Sequence, residues 1–150
     1  MLEDLKSLKA NVGQEIGVTS WMEMTQQRIH QFAEATEDRQ WIHLDSERAR
    51  RESPYETTIA HGFLTLSLLS RFLGEVTQIR GGVRMSVNYG LNRVRFPAAV
   101  PAGSKIRARF VLADLKESVD FVDAIYGITV ERQGAEKPCC VAEWMVRYYR

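Results

Sequence analysis

The side chains best suited to chemistry in this sequence are Asp38 and His43, which lie five residues apart. A carboxyl group and an imidazole at this spacing can converge on one small molecule, where they offer a base and an acid whose pKa values depend on the environment. The N–H of Gly62, at the start of a strongly apolar segment, can face an oxygen that becomes negative during a reaction. Together the three groups predict acid–base chemistry on an acyl carbonyl compound.

The same three residues also have a purely structural interpretation. Asp38 can end a helix, His43 can cover an apolar edge, and Gly62 can serve close packing. Spacing alone favours this structural interpretation.

The first half of the chain has helical periodicity. Residues 1–12 predict a short amphipathic helix, because leucines recur there at helical spacing. A strand is predicted over 17–22, and Thr25 has the residue type that caps a following helix. Residues 37–60 mix charge, proline and turn formers, which predicts a long functional loop that contains a short helix capped by Ser46.

The second half changes to the periodicity of strands. Residues 62–74 are apolar around most of a helix circumference, which predicts a buried helix that ends at Gly74. An apolar period of two predicts an antiparallel meander with one buried face and a bulge near Gly90 in its first strand. The predicted strands cover about 83–96, 104–116, 119–132 and 138–149. The chain is therefore predicted to be α+β, with one domain over 1–150 and a curved antiparallel sheet wrapped around the buried helix.

Composition excludes several classes of protein. The 150 residues are 45% hydrophobic and 26% charged, which is typical of one soluble globular domain. The net charge is +1, so no nucleic-acid partner is expected. No apolar run reaches the roughly 18 residues needed to cross a bilayer, and the segment MLEDLKSLKA lacks the pattern of a signal peptide. We therefore expect a cytoplasmic location and no membrane partner.

The histidines and cysteines give poor support for a metal site, because neither type follows the spacing of metal ligands. Cys139 and Cys140 are neighbours, and adjacent residues of a strand point to opposite faces. These cysteines are predicted to fill the core. No metal and no other cofactor is expected.

Three segments of the sequence resemble a known family. The string FAEATEDRQWIHLDSERA, followed by IAHGFLTLSLLS, resembles the MaoC-like dehydratases, the R-specific enoyl-CoA hydratases of the hot-dog fold. The segment VNYGLNRVRFPAAVPAGSKIRA is similar to the nodulation-protein-N-like subgroup. The resemblance implies a single hot-dog domain that forms a homodimer, and pairing would also cover an open sheet edge.

The resemblance also implies roles for particular residues. The family's catalytic pattern Asp-x-Asn-Pro-x-His falls on Asp38 and His43, with Gln-Trp in place of Asn-Pro. It implies that Asp38 is the base and His43 its proton partner, although a shared network can exchange the two labels. The family's His-Gly pair falls on His61 and Gly62. It implies that the Gly62 N–H binds the thioester carbonyl oxygen. His61 itself is expected to be positional rather than catalytic.

Three further residues receive secondary roles. A serine that orients the catalytic Asp in relatives maps to Ser67, for which a buried serine bonded to the preceding helical turn is an equal alternative. Arg93 and Arg95 share a strand parity, as do the basic residues at 105, 107 and 109. These side chains can gather near the phosphates of coenzyme A or of an acyl-carrier group. A solvated sheet face is the alternative, and the pattern favours it.

The activity that the resemblance implies is reversible hydration of a trans-2-enoyl thioester, of coenzyme A or of an acyl carrier, to a (3R)-hydroxyacyl thioester. Water held between Asp38 and His43 would attack the β-carbon, and a proton would go to the α-carbon. Two alternatives are a hot-dog acyl-CoA thioesterase and a non-catalytic subunit that binds acyl thioesters. The intact spacing of the Asp and the His argues against both.

Overall fold

The computed structural model of the protein describes residues 1–150. In chain order its elements are β1 (Leu2–Asp4), α1 (Leu5–Ala10), β2 (Glu15–Val18), β3 (Met22–Glu23), α2 (Gln26–Thr36), α3 (Trp41–Leu44), α4 (Ser46–Glu52), α5 (Gly62–Ser67), α6 (Leu69–Val76), β4 (Thr77–Gly81), β5 (Met85–Arg95), β6 (Lys105–Glu117), β7 (Phe121–Arg132) and β8 (Cys140–Tyr149). None of the helices has the length and the apolar run needed to cross a membrane.

The N-terminal segment is a short strand and a short helix rather than one helix over 1–12. β1 pairs in parallel with β4, and α1 begins directly after it. The carboxylate of Asp4 accepts a hydrogen bond from the Ser7 N–H at 2.6 Å, which satisfies a free donor of the first helical turn. The helix therefore begins at Leu5, directly after its cap.

The main sheet is antiparallel and has the strand order β2-β6-β7-β8-β5, with β3 also paired to β6. β6, β7 and β8 form the predicted meander. The first predicted strand does not join it, because β5 pairs with β8 and not with β6. The connection over 96–104 is long enough to pass from one edge of the sheet to the other side, so the expectation of a simple meander is wrong for β5.

The strand predicted over 17–22 is split into β2 and β3, which pair with successive parts of β6. Thr19 lies between them and replaces a regular ladder contact. Its hydroxyl accepts from the Ala108 N–H at 2.9 Å, and its own N–H donates to the Ala108 carbonyl at 2.9 Å. A side-chain hydrogen bond therefore carries the pairing across the break.

β5 is irregular, as its sequence predicts, but in two places. The register shifts on both sides of Gly90 and Leu91. Leu91 lies opposite the buried Trp144 and so belongs to the inner face, although it is 44% exposed, whereas Met85 and Val87 lie on the outer face. Each bulge reverses the direction of the following side chains. The prediction that one bulge returns every apolar residue to one side is therefore wrong.

The predicted central helix is confirmed, with a break at Leu68 between α5 and α6. Gly74 does not end it, because α6 continues to Val76. Phe72, Leu73 and Val76 are buried, and their burial outweighs the cost of about 1 kcal/mol for a glycine inside a helix. The helix stops only where Thr77 begins β4.

The core lies between this helix and the inner face of the sheet, which confirms the α+β architecture. The alternation predicted for β6 and β8 is confirmed, since every second residue is buried from Ile106 to Leu112 of β6 and throughout β8. Cys139 and Cys140 are buried and free, as predicted, and burial raises the pKa of Cys139 to about 11 and that of Cys140 to about 12. Both residues therefore act as core side chains.

The long segment over 37–60 carries α3 and α4. The helix predicted to be capped by Ser46 is capped by Asp45 instead, whose carboxylate accepts from the Arg48 N–H at 2.9 Å. An acidic cap one residue earlier also suits the positive end of the helix dipole. Near its end the segment forms an isolated antiparallel bridge between Ile59 and Pro101.

Candidate active site

Asp38 is placed by the end of α2. Thr25 caps the other end of this helix as predicted, and its hydroxyl accepts from the Arg28 N–H at 3.2 Å. Glu37 follows the last turn in a left-handed conformation with φ 63°, a conformation that few side chains adopt. The chain turns sharply at Glu37, and the exposed carboxylate of Asp38 reaches the rim of a cavity.

His43 belongs to the short helix α3 and is only 6% exposed. Its Nδ1 lies 2.7 Å from the carbonyl oxygen of Ile59. A carbonyl oxygen can only accept, so Nδ1 carries a proton and the neutral ring has a free lone pair on Nε2. The side chain of Gln26 donates to the His43 carbonyl at 2.8 Å and accepts from the Thr58 hydroxyl, so α2 also holds this helix in place.

Burial lowers the pKa of His43 below its ordinary value of 6.5. The hydrogen bond to the Ile59 carbonyl and the charge of Asp38 act in the opposite direction, and His61 adds to the lowering. Because the lowering dominates, the ring is neutral at neutral pH and Nε2 is a proton acceptor.

His61 joins the two predicted catalytic residues. Its Nε2 lies 3.0 Å from the main-chain carbonyl oxygen of Asp38, to which it donates. Its ring stacks on that of His43, with centroids 3.7 Å apart and planes inclined by 23°. Phe32 packs against the other side at a centroid distance of 4.9 Å.

Asp38, His43 and Gly62 line one cavity of about 430 Å³, so the structure brings together three of the residues predicted from the sequence. The other residues that line it are Phe32, Thr36, His61, Phe63 and Phe96. Sequence reasoning did not assign the three phenylalanines to the site. An apolar pattern does not distinguish a core side chain from one such as Phe63, which is 68% exposed.

Gly62 is the first residue of α5, and its N–H has no acceptor within the chain. The N–H groups of a first helical turn have no partner within the helix, and the helix dipole favours a negative oxygen beside them. A Cβ at this position would lie 3.0 Å from the ring of Phe96. Glycine therefore leaves both a free donor and the room to approach it.

The predicted contact between Ser67 and Asp38 does not exist within one chain. The Ser67 hydroxyl donates to the Phe63 carbonyl at 2.7 Å, one turn back along α5. The side chain is exposed rather than buried, and it lines a different cavity of about 310 Å³ beside β5 and β8. The local alternative is therefore correct for the hydrogen bond, which a helical serine forms without any distant partner.

The basic residues have different environments. Arg93 and Arg95 are exposed on the outer face of β5 and form no ion pair, and neither lines the cavity of Asp38. Arg107 and Arg109 instead bind the carboxylate of Glu131 at 2.7 and 3.1 Å. Both guanidinium groups are therefore already paired with a carboxylate within the protein.

Asp38, His43 and His61 are also the residues that could hold a metal ion, since their donor atoms lie within 4.8 Å of one another. An imidazole binds a metal in the plane of its ring. Two rings stacked at 3.7 Å in nearly parallel planes do not direct their lone pairs at one point. The arrangement therefore does not fit an ion held by both imidazoles.

Comparisons with known proteins identify the family and the fold. The MaoC like domain family matches residues 7–133. The chain is 46% identical over 147 residues to 3-hydroxyacyl-thioester dehydratase Z of Mycobacterium tuberculosis, covering 97% of this chain and 96% of that protein. It is 44% identical over 144 residues to nodulation protein N of Rhizobium leguminosarum bv. viciae, covering 94% of this chain and 88% of that protein.

Among solved structures, the (R)-hydratase from A. caviae involved in PHA biosynthesis matches with a TM-score of 0.69 and 25% identity, covering 90% of this chain and 94% of that chain. This likeness confirms the hot-dog fold. A family match over most of the chain, together with relatives of this identity and coverage, shows that the protein belongs to the MaoC-like family.

Proposed function

We propose that the protein hydrates trans-2-enoyl thioesters to (3R)-hydroxyacyl thioesters and catalyses the reverse dehydration. The broader class, a dehydratase or hydratase of acyl thioesters, is supported by the family and by the names of its relatives. The observation that carries the proposal is the convergence of Asp38, His43 and the free N–H of Gly62 on one cavity.

In the proposed complex the thioester carbonyl oxygen accepts a hydrogen bond from Gly62. Addition of water at the β-carbon moves negative charge onto this oxygen, and a donor that is fixed in advance stabilises that charge. The phenylalanine side chains of the cavity would exclude bulk water, which strengthens the same hydrogen bond.

The reacting water lies between the Asp38 carboxylate and His43 Nε2. Both groups are acceptors when His43 is neutral, so the water donates one O–H to each and its lone pair is left for the β-carbon. As the C–O bond forms, one water proton passes to the pair, for which we assign Asp38 as base. The proton taken up by the pair is then delivered to the α-carbon, with His43 as proton partner of Asp38. Both residues thereby return to their starting protonation states.

The reaction is tested by mixing the purified protein with crotonyl-CoA and with a longer enoyl-CoA. Loss of the enoyl conjugation and a (3R)-hydroxyacyl product by chiral analysis would support the proposal. Free thiol released without hydration would identify a thioesterase instead. Binding of acyl-CoA with neither reaction would point to a non-catalytic subunit.

The role of Gly62 is tested by removing its N–H. Gly62→Pro should lower the rate of hydration about 100-fold relative to Gly62→Ala, the scale expected for one lost oxyanion donor. Proline is tolerated at the first position of a helix, and His61 already has the extended ψ of 137° that a residue before proline prefers.

Gly62→Ala is the matched control, because both variants place a Cβ near the Phe96 ring but only proline lacks the donor. Rates are compared with crotonyl-CoA after thermal melts have shown that both variants fold. Equal rates for the two variants would contradict a role for this N–H.

We also propose that the protein is a homodimer paired along β5. This strand has β8 on one side and no partner on the other, and nearly all of its residues are exposed. An open edge with exposed apolar side chains is a template for pairing with another strand. The exposed apolar residues of β5 are Met85, Val87, Tyr89 and Leu91.

Val87→Lys should shift the protein from dimer to monomer in sedimentation equilibrium, because charge on an edge strand opposes pairing. Val119→Lys is the matched control, since Val119 is 86% exposed between β6 and β7 and lies away from this edge. A wild-type protein that sediments at the chain mass of 17.2 kDa would refute the dimer.

Two further assignments stay predictions. Arg93 and Arg95 precede Phe96 of the cavity and have no ion-pair partners, so they remain the proposed site for a coenzyme A or carrier phosphate. A cytoplasmic location also stays a prediction.

A further inference from the structure

One buried titratable side chain of the catalytic cavity has no role in the proposed mechanism. His61 is 3% exposed, lines the catalytic cavity and contacts both Asp38 and His43. Its Nε2 donates to a carbonyl, and its buried Nδ1 has no hydrogen-bond partner. A buried polar atom without a partner costs free energy, so a side chain that only filled space would not need to be a histidine.

The first contact of His61 restrains Asp38. The left-handed residue Glu37 directs the chain into the site, and the peptide group that follows Asp38 is held by the bond from His61 Nε2 to the Asp38 carbonyl. This bond spans 23 residues of sequence and ties the loop to the start of the central helix. The Asp38 carboxylate is exposed, so the main chain rather than side-chain packing fixes its position.

The second contact restrains His43. The imidazole is held at Nδ1 by the Ile59 carbonyl, but one hydrogen bond leaves it free to tilt about that bond. The ring of His61 covers one face of His43 at a centroid distance of 3.7 Å. This stacking fixes the orientation of the His43 ring plane, and therefore the direction of Nε2, and it shields that face of the ring from water.

We propose that His61 is a positioning residue that holds both members of the catalytic pair, anchoring the Asp38 main chain through Nε2–H and the His43 ring through stacking. This inference rests on the proposed function for its effect on rate. A precise placement of reacting groups contributes strongly to catalysis, and loss of such a supporting contact typically costs between tenfold and a hundredfold.

Two substitutions separate the two contacts. His61→Phe keeps a flat ring against His43 but removes the donor, whereas His61→Gln keeps an N–H near the position of Nε2 but removes the ring. Each should lower kcat with crotonyl-CoA about tenfold and leave KM within about threefold. His30→Phe and His30→Gln are the controls, because His30 is exposed on α2 and does not line the cavity.

Two measurements that do not depend on turnover should each respond mainly to one of the two variants. Amide hydrogen exchange at 38–40 should become faster in His61→Phe and change less in His61→Gln. The pKa of His43, followed by NMR, should rise towards 6.5 in His61→Gln because water reaches the uncovered face, and should stay lowered in His61→Phe. Asp38 and His61 are the titratable groups that face His43 in this titration.

Several outcomes would overturn the inference. One is a kcat equal to that of the wild type in both variants. Another is a change in KM without a change in kcat. A third is an equal effect of the two variants on the amide exchange and on the pKa of His43. If His61→Phe does not fold in thermal melts, His61→Gln still tests the stacking contact. A wild-type protein without hydratase activity would refute the proposed function, whereas the exchange and NMR measurements would still decide whether His61 holds the pair.

Discussion

Asp38→Asn should retain the fold and lower the rate of enoyl-thioester hydration by about two orders of magnitude or more. The amide has the shape of the carboxyl group, but it is not a base at neutral pH, and a positioned base contributes on this scale. The exposed Asp38 side chain forms no ion pair, and its one hydrogen bond is a 3.4 Å contact with the Gln40 N–H. Its replacement therefore removes little that stabilises the protein.

The measurement is kcat/KM with crotonyl-CoA alongside a thermal melt of each protein. Asp120→Asn is the matched control, because Asp120 is an exposed residue of the turn between β6 and β7. A folded Asp38→Asn protein with wild-type activity would show that the carboxylate is not part of the reaction. Loss of folding would mean that a structural residue had been mistaken for a catalytic one.

His43→Gln should produce a second loss of about two orders of magnitude or more, together with a change in pH dependence. In the wild-type protein, the rate should fall as the pH drops through the lowered pKa of His43, below 6.5, because a protonated Nε2 cannot accept from water. Glutamine does not titrate, so this decrease should disappear from the residual activity of the variant.

The pH profile of kcat/KM from pH 5 to 8 tests this expectation, and it reports on the free enzyme. His30→Gln should keep both the rate and the acid limb, because His30 is exposed outside the cavity. An acid limb that persists unchanged in His43→Gln would assign it to another group.

Predictions from the local sequence pattern were correct where the burial of one face of a single helix or strand determines its structure. The apolar circumference of the segment around Phe72 and the alternation in β6 and β8 each follow from burial of one face, and the structure confirms them. Predictions were wrong where the conformational preference of a residue competes with the burial of a neighbouring side chain. Gly74 favours a helix end, but burial of Val76 extends the helix by two residues beyond it.

The sequence by itself identified the three groups of the candidate site that could carry chemistry. Asp38 and His43 lie on one short segment and Gly62 begins the buried helix, and the family resemblance of these segments pointed to acid–base chemistry. Local spacing is retained on folding and keeps Asp38 and His43 close together, whereas Gly62 lines the same cavity only because the folded chain brings its helix to this segment. The role of each residue, by contrast, depends on contacts with distant parts of the chain.

Only the tertiary structure decided those contacts. It placed the proton of neutral His43 on Nδ1 through Ile59, 16 residues away, and tied Asp38 to His61 across 23 residues. It also paired β5 with β8 and directed Ser67 towards another cavity. Periodicity specifies which face of an element is buried, but not which element lies against it. Pairing and hydrogen-bond partners are fixed when the whole core closes, and they determine how the same residues can act.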